Sequence, residues 1–153
     1  MYSKEQASQI RQEFWTVFGR YISPQPSADG LKINWINYKT GVRAISFRMR
    51  AENRSASIAI EINHPDEGIR MLIYEQFLEF RKVFTDTMNE EWDWEPEVRD
   101  ENGRTLARII KTLEGRSIYR KEDWPDLISF FRPRITQMDE FWSMAQYGFE
   151  LFK

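Results

Sequence analysis

Residues 31–63 read LKINWINYKTGVRAISFRMRAENRSASIAIEIN, and three stretches within them, 31–38, 42–50 and 56–63, alternate apolar with polar side chains. Alternation of this kind marks a strand with one buried face. The tripeptide Lys39-Thr40-Gly41 suits a three-residue hairpin with Gly at the left-handed position. That turn sets Trp35 opposite Ile45 and Ile33 opposite Phe47. A second turn over 51–54 sets Phe47 opposite Ile58 and Ile45 opposite Ile60. Both turns give the same apolar face: Leu31, Ile33, Trp35, Ile45, Phe47, Met49, Ile58, Ile60 and Ile62. A one-residue slip would turn that face to solvent. A three-stranded meander is therefore the expected centre of the fold.

Before it, Ser3 and Gln6 form a capping-box pair. Ala7, Ile10, Phe14, Val17, Phe18 and Tyr21 follow on one helical stripe, which ends at Ser23-Pro24-Gln25-Pro26. After the meander, Pro65-Asp66-Glu67 has the chemistry of a helix start. The stripe that follows is Ile69, Leu72, Ile73, Gln76, Phe77, Phe80 and Phe84. Asn102-Gly103 marks a second hairpin between the Trp92-Asp93-Trp94-Glu95 strand and a return strand over 105–113. The last helix opens at Asp123-Trp124-Pro125 and is expected to kink or split at Pro133. The predicted order is α-β-β-β-α-β-β-α. This is an α+β class with a mainly antiparallel sheet packed with three helices, in one domain over 1–153.

Composition narrows the chemistry. With Lys+Arg 22 against Asp+Glu 24 the net charge is -2, which argues against a uniformly basic nucleic-acid binder. The absence of Cys excludes disulfides, thiolate metal sites and a Cys nucleophile. A single His excludes a His-rich zinc centre within one chain. No apolar run reaches bilayer length and the amino terminus has no apolar signal region, so the expectation is a cytoplasmic protein with no membrane association. No cofactor is implied.

The polar face of the expected meander carries the main candidate site. Lys32, Arg48 and Arg50 offer cations for a phosphate or carboxylate, Tyr38 offers a ring for stacking, and Glu61 is a cross-strand compensator. One carboxylate does not balance Arg48, Arg50 and Lys32 together. An anionic ligand or a partner protein would complete the balance, and nucleic acid is a less favoured partner. The competing expectation is a helix covering this face with acids such as Glu5 or Glu13.

Arg116, Arg120, Lys121, Arg132 and Arg134 form a second basic cluster around the last helix. Asp93, Glu95 and Glu97 share a strand face, but Pro96 among them reads as protection of a sheet edge, and no metal site is expected. His64, with Asp66 and Glu67 nearby, reads as a residue of the strand-to-helix turn, with no catalytic set around it. Trp15, Phe131, Trp142, Tyr147 and Phe152 are expected to be mostly core. No catalytic residue is assigned, and the chain reads as a binding or interaction module.

Several of these stretches carry a family resemblance. Glu13-Phe14-Trp15, Asn34-Trp35-Ile36-Asn37-Tyr38, Ile60-Glu61-Ile62, Trp92-Asp93-Trp94-Glu95, Arg108-Ile109 and Glu122-Asp123-Trp124 resemble the bacterial family called domain of unknown function 4268. The resemblance implies a bacterial origin, membership of a family whose members stand alone or beside other modules, some nuclease-like, and no particular activity. The α-β-β-β-α-β order also looks like the PD-(D/E)XK nuclease core. That core needs an acid on its second strand and an acid-spacer-Lys on its third. Here the third strand offers Glu61-Ile62-Asn63 and the second has no acid, so the resemblance implies an inactive core.

Overall fold

The first helix, α1 (Lys4–Ile22), begins as its capping box predicts. Ser3 Oγ accepts from the Gln6 amide at 3.2 Å, and the Ser3 amide donates to Gln6 Oε1 at 2.9 Å. In this computed structural model, which describes residues 2–153, the buried side of α1 is Phe14, Phe18 and Ile22.

Four strands follow: β1 (Ile45–Ala51), β2 (Ser55–Ile62), β3 (Asp93–Arg99) and β4 (Thr105–Glu114). They form one antiparallel sheet in the order β1-β2-β4-β3. The excursion from β2 to β3 carries α2 (Glu67–Glu79) and α3 (Arg81–Met88), and α4 (Trp124–Ala145) follows β4. The chain then closes in 3-10 turns over Gln146–Phe152. The class is the expected α+β.

Four details depart from the sequence reading. Residues 31–38 form no ladder with the sheet. Asn34 Oδ1 instead accepts the amides of Ile36 and Asn37, each at 3.1 Å, and this side-chain turn ends the extended run. Trp35 is still buried, its indole donating to the Gln25 carbonyl at 2.9 Å, whereas Leu31 is exposed. Gly41 does take a left-handed φ of 82°, but at a bend in this irregular connection.

The register between β1 and β2 is shifted by two from that expected: Phe47 faces Ile60 and Ile45 faces Ile62. A shift of two preserves the inward side, so Ile45, Phe47, Ile58, Ile60 and Ile62 are all buried. The second helix is divided at Phe80, and Ile69 and Leu72 of its expected stripe are exposed while Arg70, Ile73, Tyr74 and Phe77 are buried. Finally, α4 runs through Pro133 without splitting, because Pro133 and Ser129, whose carbonyl loses its amide donor, both lie on the exposed side.

The helices pack on one face of the sheet. Phe47 meets Trp142 of α4 edge-on at 6.0 Å, and Trp94 of β3 meets Tyr74 of α2 at 6.2 Å. Phe14 and Phe18 of α1 close on Phe131 of α4, so the first and last helices seal one side of the core.

Candidate anion-binding cleft

Strand parity sends Ser46, Arg48 and Arg50 of β1, Ser57, Ala59 and Glu61 of β2, and Arg108 of β4 to the face opposite the helices. Two ion pairs cross this outer face. Arg50 reaches Glu61 at 2.5 Å and Arg108 reaches Glu95 at 2.5 Å. The hydrogen bond to Glu61 holds the Arg50 guanidinium above its ordinary pKa, against the opposing effect of burial. Arg48 sits opposite Ala59, is exposed, and has no ion-pair partner among the described residues. The acids proposed to cover it do not: Glu13 is paired with Lys121 at 3.1 Å.

The outer face continues into a cleft of about 970 Å³ at the β3–β4 hairpin end of the sheet. The hairpin tip is fixed by Asp100, whose Oδ1 accepts the amides of Asn102 and Arg104 at 2.9 Å each, with Gly103 at a φ of 77° that favours glycine. This places Arg104 at the cleft wall beside Arg43, Arg48 and Arg50. Lys153 is the fifth basic side chain, against Glu61, Asp100 and Glu101. Arg43, Arg48 and Arg104 carry no ion pair among the described residues, and the five basic side chains of the cleft outnumber its three acids.

His64 also lines the cleft. Its Nδ1 accepts the Asp66 amide at 3.0 Å and its carbonyl accepts from the buried Arg70 at 3.0 Å. Those bonds make it the strand-to-helix turn residue that its position predicts.

The remaining candidates lie elsewhere. Lys32 is exposed on the irregular connection and does not line the cleft. Tyr38 is on the helix side of the sheet, its ring stacked on Phe47 at 4.7 Å and its hydroxyl donating to Asp139 Oδ1 at 2.6 Å. Burial, with the Asp139 carboxylate beside it, pushes the Tyr38 hydroxyl far above its ordinary pKa. Asp139 Oδ2 accepts the Ala28 amide at 2.7 Å. These groups border a hollow of about 370 Å³, but they bind one another and pin the connection to α4.

The second basic cluster is dispersed and paired. Arg116 meets Asp126, Arg120 meets Glu122, and Lys121 meets Glu13. Arg134 forks onto Glu90 with two bonds of 2.9 Å, and Arg132 lies over the Tyr21 ring. Burial raises the Glu90 pKa, but the Arg134 and Trp92 hydrogen bonds lower it more, leaving it below the usual carboxylate range. Among the described residues no group of three or more acids and His is arranged to hold a metal ion. Phe131 and Trp142 are core, Trp15 and Phe152 are partly buried against it, and Tyr147 is exposed.

Sequence reasoning missed Arg43, Arg104 and Asp139. Arg104 had a legible signal, since it directly follows the Asn102-Gly103 turn, but its position required knowing that β4 inserts beside β2. Asp139 was legible as a carboxylate inside the stripe Ile135, Met138 and Trp142.

None of the described helices is long and apolar enough to cross a membrane. No curated protein and no solved structure matches the chain. The family model described as domain of unknown function (DUF4268) matches residues 10–146, from within α1 to the end of α4, and the chain belongs to that family.

Proposed function

We propose that the protein is a binding module of the bacterial cytoplasm that holds an anionic group of its partner in the cleft above β1 and the β3–β4 turn. The observation that carries this reading is the convergence of Arg43, Arg48 and Arg104, none of them in an ion pair among the described residues, in a chain whose net charge is -2. In the second basic cluster, by contrast, Arg116, Arg120 and Arg134 are each held by a carboxylate. Like charges gathered on one strand face are unfavourable until something compensates them. The guanidinium fork suits a phosphate or carboxylate group. The absence of Cys fits a reducing compartment.

The test is titration with inorganic phosphate, followed by amide chemical shifts. Shifts are expected around Arg43, Arg48 and Arg104, and they should weaken with added salt. Arg48→Glu should fold with near-native stability and lose the response. A variant that unfolds, or one that binds phosphate unchanged, would make Arg48 a structural residue and remove the cleft from consideration.

A further inference from the structure

We infer that the partner's anionic group arrives on an extended peptide of alternating acidic and apolar side chains, which adds to the sheet as a fifth strand along the free edge of β1. This rests on the cleft being an anion site and names what delivers the anion.

The hydrogen-bond parity of β1 defines the free edge. The Glu52 amide donates to the Ser55 carbonyl at 2.7 Å and the Asn63 amide to the Ala44 carbonyl at 2.9 Å. Both pairs belong to the register that places Arg48 opposite Ala59. In an antiparallel ladder hydrogen-bonded and non-bonded pairs alternate, so Ser46, Arg48 and Arg50 bond to β2. The amides and carbonyls of Ile45, Phe47, Met49 and Ala51 therefore point away from it. The irregular connection satisfies Ile45, whose amide donates to Val42 O at 3.0 Å and whose carbonyl accepts from Thr40 Oγ1 at 2.8 Å. Among the described residues nothing does the same for Phe47, Met49 and Ala51.

The two edges of the sheet are treated differently. On β3, Pro96 lies in a register irregularity between Glu95 and Val98, which discourages pairing with another chain. On β1 there is neither Pro nor an irregularity. The cleft reaches this edge, since Met49 lines it together with Phe152.

Charge and parity then specify the occupant. Side chains of an added strand alternate between the two faces. Those on the outer face would lie beside Arg48 and Arg50, where acids are favoured. Those on the inner face would lie beside half-buried Met49, where an apolar residue is favoured. A second copy of β1 is a poor occupant, because it would set arginines against arginines.

The probe is a labelled synthetic peptide of alternating Glu and Val, measured by fluorescence anisotropy and by amide hydrogen exchange. Binding is expected to slow exchange at Phe47, Met49 and Ala51. It should fall at least tenfold when alternate peptide amides are N-methylated, and be lost when Glu is replaced by Lys. Met49→Pro removes an outward amide that β2 does not use, and it should weaken peptide binding. If phosphate binds but N-methylation and Met49→Pro change nothing, or an oligonucleotide binds in place of the peptide, strand addition is wrong and the anion site stands. If neither phosphate nor peptide binds, both readings fail. A dimer formed through β1 would also overturn the proposal.

Discussion

Asp139 shows how a single charge organises a long irregular segment. Its two oxygens take the Ala28 amide and the Tyr38 hydroxyl, and so draw the connection between α1 and β1 down onto α4. The residue is buried, and its carboxylate is an acceptor that burial would penalise without those donors. Tyr38→Phe removes one donor and keeps the ring on Phe47. The expected cost is about 1–3 kcal/mol, read from the midpoint of urea unfolding. An unchanged midpoint would show that the connection holds by apolar contact alone. The sequence displayed the acid in an apolar stripe. It did not display the partners, because Tyr38 lies 101 positions away and in the expected register pointed to the other face.

At the level of elements, alternation was a good guide to burial and a poorer guide to pairing. The stretch 31–38 alternates because it lies against the core with Trp35 inward and its neighbours outward, a pattern that needs no ladder. What distinguishes it from a strand is Asn34, whose side chain captures two amides that a ladder would need. The β1–β2 turn shows the same limit: it lies one residue later than expected, which shifts the register by two, yet the inward side was preserved. Phe47 occupies the centre of that inward side, touching Tyr38 and Trp142. Phe47→Ala is expected to cost about 3–5 kcal/mol in denaturant melts. A loss below about 1 kcal/mol would mean that the hairpin face is not the main core.

At the scale of the molecule, three arginines without an ion pair among the described residues, Arg43, Arg48 and Arg104, meet at one end of the sheet. Pairing also bears on chemistry. Glu61, the one acid left of the nuclease-like pattern, is held by Arg50, and a carboxylate engaged by a guanidinium is a poor metal ligand. Incubation with Mg²⁺ or Mn²⁺ and labelled single- or double-stranded nucleic acid should give no cleavage, and cleavage abolished by Glu61→Ala would reverse that reading. The location of the cleft was half legible. Arg48, Arg50 and Glu61 came from strand parity, whereas Arg104 joins them only through the insertion of β4 beside β2, and Arg43 through the turn that precedes β1. The packing of α1 on α4 has a consequence in time. Contacts between them span more than a hundred residues, as Phe14 to Phe131 illustrates. A ribosome adds about 5–20 residues per second, so the stripe of Phe14, Phe18 and Ile22 leaves the exit tunnel several seconds before Phe131 exists. During that interval the nascent chain presents an aromatic helix with nothing to cover it, and protecting that helix falls to whatever the cell supplies at the ribosome.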